Sequence, residues 1–249
     1  LTDVTGVQTC ALPISGRGFI RKEEEHRKDR LHDIPSLVEK GRILKDSRTT
    51  LVVKTDCGVL KQYRRKKMRN WVFDCFRPSR GKRAWIASHH CQIRGIRTAP
   101  PIAFWERRTG IFLHTSCFLT QEVKNSSTLY QYLDFLTGCP IPESVRRKKD
   151  ILFELGRFVR ILHQRGLSHR DLKCNNWLVD ENRHLCLVDM DGLQVKSTVR
   201  IGRRRKDIGR LIQSLRKAKN ISRLDIMRFM DARSEERRVG KELRSRWSP

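Results

Sequence analysis

Polar and apolar residues alternate in the first half of the chain and give way to helical spacing in the second. Residues 49–54 are β-branched and apolar, Thr55-Asp56-Cys57-Gly58 supplies turn residues, and residues 59–63 resume the extended pattern. This predicts a β-hairpin. Residues 79–94 predict a helix, with Ser79 suited to its cap and Gly95 just past its end. After the break at Pro100-Pro101, residues 102–105 and 111–120 flank the turn around Arg108-Thr109-Gly110 and predict a second antiparallel pair. Ile151, Leu152, Leu155, Phe158, Val159 and Leu162 share one helical face, so residues 143–166 read as a long amphipathic helix ending at Gly166. Short strands follow at 177–179 and 185–188, and residues 207–215 read as helix. A strand-rich half with one helix thus precedes a helix-rich half, which predicts a two-lobed α+β fold.

Residues 21–34, dense in Arg, Lys and Glu, read as a solvated helix or linker. Val4-Thr5-Gly6-Val7-Gln8-Thr9-Cys10-Ala11-Leu12-Pro13-Ile14 and Arg233-Ser234-Glu235-Glu236-Arg237-Arg238-Val239-Gly240-Lys241-Glu242 resemble translated sequencing adapters at opposite ends, so neither is read as a signal or a packed element. The expected division is 1–14 and 233–249 adapter-derived, 15–40 a charged extension, 41–123 an N-lobe and 124–232 a C-lobe.

Charge changes the picture more than length does. The 249 residues hold 54 Lys and Arg against 27 Asp and Glu, a formal charge of +27. Such a chain is drawn to polyanions. Eight cysteines show no C-x-x-C pair and no zinc spacing, which fits reduced thiols in a cytoplasmic protein. No apolar run reaches the roughly 20 residues of a membrane span, so membrane contact is expected to be peripheral.

The candidate chemistry sits directly after the long helix. Ser168-His169-Arg170-Asp171-Leu172-Lys173-Cys174-Asn175-Asn176 matches the H-R-D-x-x-x-x-N catalytic loop of kinases, with Asp171 for the acceptor proton and Asn176 for magnesium. His169 opens the motif, and Lys173 stands where a cation would face the transferring phosphoryl group. Eighteen residues after Asp171, an apolar strand ends in Asp189-Met190-Asp191-Gly192. Asp189 suits the metal-binding Asp, and Asp191, standing where that motif has Gly, offers a further carboxylate.

The residues around these motifs resemble the lipopolysaccharide core kinase family (Kdo and heptose kinases, WaaP type), small proteins of the protein-kinase-like fold. The resemblance rests on Ile43-Leu44-Lys45-Asp46-Ser47-Arg48-Thr49-Thr50, Val59-Leu60-Lys61-Gln62-Tyr63, Ser79-Arg80-Gly81-Lys82-Arg83-Ala84-Trp85 and Gly95-Ile96-Arg97-Thr98-Ala99-Pro100. The catalytic loop, Val188-Asp189-Met190-Asp191-Gly192 and Lys206-Asp207-Ile208-Gly209-Arg210-Leu211 continue it, so that it spans residues 41–216.

The resemblance implies ATP- and magnesium-dependent phosphorylation of a sugar hydroxyl of the lipopolysaccharide inner core, at the cytoplasmic face of an anionic inner membrane. A phosphorylated glycolipid would be the acceptor, and nucleic acid is the weaker fit. Lys61 becomes the phosphate-binding strand lysine, with Lys54 its rival, and Ser47, Thr49 and Thr50 line a phosphate-covering loop that lacks the usual glycines. Glu122 and Val123 lie in the hinge expected to meet adenine, and Asp207 resembles the buried helix Asp that braces the catalytic loop. One departure is plain: residues 75–105 contain no Asp or Glu, so the helix cannot supply the glutamate that orients the strand lysine, and Lys61 must pair with Asp189 or the nucleotide. Basic clusters at residues 64–69 and 203–206 are expected to recruit that glycolipid or membrane. Two other readings stand beside this one: a small atypical protein kinase, and a catalytically silent kinase-fold protein that binds RNA or membrane through its basic face.

Overall fold

The computed structural model describes residues 9–11, 17–27, 31, 34–64 and 77–246, with side chains described between residues 18 and 234 of these. It forms two compact units, residues 1–123 with Asp189–Gly192, and residues 124–188 with 193–249.

The first unit is built on a seven-stranded antiparallel sheet in the order β1-β2-β6-β7-β5-β4-β3. Its strands are β1 (Thr9–Ala11), β2 (Arg17–Arg21), β3 (Arg42–Ser47), β4 (Thr50–Thr55), β5 (Gly58–Tyr63), β6 (Pro101–Thr109) and β7 (Phe112–Thr120). Both hairpins expected from the alternation are present: β4 and β5 turn with Thr55 opposite Gly58, and β6 and β7 with Thr109 opposite Phe112. The short helix α1 (Ile34–Glu39) and the longer α2 (Arg80–Ile93) complete the unit. Ser79 Oγ accepts from the Lys82 backbone N–H at 3.1 Å, satisfying one of the donors a helix start leaves free. Trp85 lies in the core, its ring edge-on to His89 and tilted against Phe104.

The stretch 21–34, read as a solvated helix or linker, does hold a short helix with mostly exposed charges, but it is anchored to the sheet's core. Ile20 and Leu31 are completely buried against Cys57, Leu60, Ile102 and Leu119. The acidic 3-10 turn Lys22–Arg27 is tied down by Arg27, which donates to the Cys57 carbonyl at 2.7 Å and pairs with Glu24. The stretch's few apolar residues join the sheet's core while most of the turn's charges stay exposed.

The second unit is mainly helical: α3 (Leu129–Phe135), α4 (Ile141–Gln164), α5 (Ile201–Leu215) and α6 (Arg223–Arg246). Thr128 and Gln131 form a reciprocal capping box at the start of α3. Ser222 and Asp225 make the same kind of box at α6, where Asp225 also binds Lys148 of α4 at 3.1 Å. Burial alone would raise the Asp225 carboxyl, but the Ser222 hydrogen bonds and the Lys148 ammonium outweigh it and leave its pKa lowered. Small ladders carry the polar loops. The strand β8 (Ser127–Thr128) pairs with β10 (Trp177–Val179), β10 with β11 (Leu185–Leu187), and β9 (Leu167–His169) with β12 (Leu193–Val195). Gly166, between α4 and β9, has φ +77°, and a Cβ there would collide with the Lys196 carbonyl. Phe158 of α4 meets Trp177 of β10 edge-to-face at 4.9 Å, seating the loop between β9 and β10 on the long helix.

Because Ile20 is packed from all sides, Ile20→Ala should destabilise the protein by about 2–5 kcal/mol. Thermal unfolding checks this, and an unchanged midpoint would return the segment to the status of a linker.

Candidate active site

Residues 170–176 connect β9 to β10, and three hydrogen bonds shape them. The Asp207 carboxylate, fully buried on α5, accepts from the His169 backbone N–H at 3.1 Å. His169 Nδ1 accepts from the Asp171 backbone N–H at 3.2 Å. Asn176 Nδ2 donates to the Asp171 carbonyl at 2.7 Å. The Asn176 amide is thus fixed by its nitrogen end, which orients Oδ1 as the acceptor. Asp171 keeps an exposed carboxylate, paired with the Lys173 ammonium. Ser214 of α5 adds a further tie by accepting from the Cys174 N–H at 3.0 Å.

His169 is completely buried. Its ring accepts from the Asp171 N–H and so holds the turn at that residue from within the core. The Nε2 of His163 lies 3.3 Å from Asp207 Oδ2, both groups buried. Arg203 at 3.1 Å and Arg210 at 3.7 Å balance the same carboxylate. The basic cluster at 203–206 is accordingly divided: Arg203 serves Asp207, Arg204 donates to the Val199 carbonyl at 2.8 Å, and Arg205 and Lys206 are exposed. Of the other cluster, Arg64 pairs with Asp46, and residues 65–69 lie outside the described residues.

In the first unit, Lys61 of β5 makes an ion pair with Asp189. Its ammonium also lies 3.3 Å from Asp191 Oδ1, while Arg80, the first residue of α2, binds Asp191 Oδ2 at 2.8 Å. Asp191, expected to offer a metal a further carboxylate, has its two oxygens facing two cations and a side chain 10% exposed. Asp189 keeps 30% of its side chain exposed and has φ +68°, a conformation that costs a non-glycine residue of order 1 kcal/mol. Strain of this kind persists where surrounding contacts hold it, and the Lys61 pair is such a contact. The Tyr63 ring lies under both cations, 4.5 Å from the Arg80 guanidinium and 5.2 Å from the Lys61 ammonium. Burial, reinforced by the charges of Asp191 and Asp189, pushes the Tyr63 phenol well above its ordinary pKa and keeps it neutral.

Other expected residues fall elsewhere. Lys54, the rival lysine, pairs with Glu122 at 2.6 Å, which engages both residues. Val123 closes the same segment, whose Gln121 N–H donates to the Pro100 carbonyl at 2.8 Å. The expected phosphate-covering loop is the tight turn between β3 and β4. There Ser47 Oγ donates to the Thr50 carbonyl at 2.8 Å, and Thr50 is buried with its hydroxyl toward Arg80. The Thr49 carbonyl accepts from the Arg80 guanidinium at 3.3 Å. Sequence reasoning missed Arg80 altogether. The signal was a pair of departures, an acid missing from α2 and an acid gained at Asp191, and that acid meets both Lys61 and Arg80.

Replacing Asp207 by Ala would leave the His169 N–H and Arg203 without their buried partner, at a cost of about 3–5 kcal/mol. Asp207→Ala should therefore melt well below the wild type, and an equal melting temperature would show that the carboxylate does not brace the loop.

The model of the lipopolysaccharide kinase (Kdo/WaaP) family matches residues 37–232. A 3-deoxy-D-manno-octulosonic acid kinase of Vibrio cholerae serotype O1 is 26% identical over 145 residues, covering 56% of this chain and 57% of that protein. The protein of the same name from Photobacterium damsela subsp. piscicida is 22% identical over 122 residues, 49% of this chain and 47% of that one. The chain thus spans about half the length of the curated relatives it matches. The solved structure of WaaP in complex with acyl carrier protein superposes with a TM-score of 0.61 at 19% identity, covering 83% of this chain and 86% of that one, and shares the protein-kinase-like fold. With the family model matched over most of its length, the chain belongs to the lipopolysaccharide kinase (Kdo/WaaP) family.

Proposed function

We propose that the protein is a kinase that transfers the γ-phosphoryl group of ATP, with magnesium, to a hydroxyl of a sugar in the lipopolysaccharide inner core. The observation that carries this reading is the ion pair of Lys61 with Asp189 at a strained backbone position. Family membership and the braced loop around Asp171 support it. The donor chemistry fits a hard cation, since Asp189 offers a part-exposed carboxylate and Asn176 an oriented amide oxygen.

Bound ATP supplies the phosphoryl group and magnesium offsets its charge. Lys61 would bind phosphate oxygens, and Glu122 and Val123 belong to the segment that would present backbone groups to adenine. Asp171 would take the acceptor's proton, and Lys173 beside it would face the negative charge that develops on transfer. The exposed Arg205 and Lys206 would suit a phosphorylated glycolipid or the anionic surface that carries it. Among the described residues no helix is long and apolar enough to cross a membrane.

Purified protein with labelled ATP and lipopolysaccharide inner-core acceptors tests the reading directly. Asp171→Asn should lower transfer about 100-fold or more while ATP affinity stays close to wild type. Equal turnover by this variant would remove Asp171 from the mechanism, and transfer to peptides but not to the glycan would make the protein a protein kinase. Asp189→Ala should abolish the dependence of ATP affinity on magnesium. Equal losses with and without the ion would count against a metal role.

A further inference from the structure

Lys61 pairs with two carboxylates, yet the helix beside it bears no acid: residues 75–105 contain no Asp or Glu. What α2 offers at its first turn is Arg80, and four contacts meet there. Its guanidinium binds Asp191 at 2.8 Å, approaches the Thr49 carbonyl at 3.3 Å and Thr50 Oγ1 at 3.4 Å, and stacks over the Tyr63 ring at 4.5 Å. Asp191 in turn reaches Lys61 at 3.3 Å.

Resting on the kinase reading, we propose that Arg80 and Asp191 together replace the missing helix glutamate. Asp191 positions the Lys61 ammonium, Arg80 positions Asp191, and the helix, the β3–β4 turn and the Asp189–Gly192 segment are thereby set as one unit around the phosphate-binding lysine.

Charge arithmetic supports the assignment. A helix glutamate would leave Lys61 with one acid from the helix and one from the metal motif. Here both acids come from the motif, and Asp189 and Asp191 so close together would repel without a second cation. Arg80 supplies it, and a guanidinium suits the task because its planar fork can bind a carboxylate, a backbone carbonyl and an aromatic face at once. A lysine at this place would keep the charge and lose the fork.

The test uses the full chain and four variants, Arg80→Gln, Asp191→Asn, the double variant and Arg80→Lys, read by thermal unfolding and by the KM for ATP against kcat. If the residues act through one bridge, each single neutralisation should raise the KM for ATP about tenfold with a smaller change in kcat, and the double should be no worse than the poorer single. Arg80→Lys should fall between wild type and Arg80→Gln. Losses that add in the double variant, or single variants with wild-type KM, would overturn the proposal. The melting temperatures decide the bridge even without catalysis: non-additive losses support it and additive losses overturn it. A wild-type protein that neither binds nor turns over ATP would sink the kinase reading and leave the bridge to be judged by unfolding alone.

Discussion

An ammonium group in a mostly shielded place needs compensating charge, and in the first unit that need organises everything near Lys61. The lysine projects from β5, flanked in the sheet by β4 and β7, with 17% of its side chain exposed. Desolvation at such a site disfavours the charge unless carboxylates meet it. Asp189 and Asp191 do so, and their approach fixes the four-residue segment Asp189–Gly192 against the sheet unit to which it otherwise has no chain connection nearby. The left-handed conformation of Asp189 is the conformational cost of that approach.

The second unit meets the inverse problem with the inverse solution. Asp207 is a completely buried carboxylate, held by a backbone N–H, a histidine and two arginines. Because one of those donors is the N–H of His169, the charge that must be satisfied also dictates the path of the chain into Asp171. Partners of this kind are costly to remove singly, so they specify a loop conformation more sharply than apolar packing would.

Much of this was legible from residue order alone. The hairpins at 50–63 and 101–120, the cap at Ser79 and the amphipathic face of α4 follow from local pattern, and the structure reproduces them. The catalytic-loop motif was legible because its chemistry demands fixed spacing. Side-chain geometry was not. Whether Asp191 faces a metal or a guanidinium depends on Arg80, 111 residues away, and no spacing rule reaches that far. The place of His169 in the motif was legible, but its burial and its hydrogen bond to the Asp171 N–H were not. The stretch before residue 40 was legible only in part: charge density dominated the pattern, and Ile20 and Leu31, which join the core, stand too far apart to produce a period.

The account turns on Lys61 being the residue that engages nucleotide phosphate. Titrating ATP against the wild type and Lys61→Met over a range of magnesium concentrations, with both proteins shown to be folded, puts that to the question. The wild type should bind ATP more tightly as magnesium rises, and Lys61→Met should bind at least about tenfold more weakly, the loss of one charge-assisted contact. Binding of equal strength by the two proteins at every magnesium concentration would contradict the account at its centre.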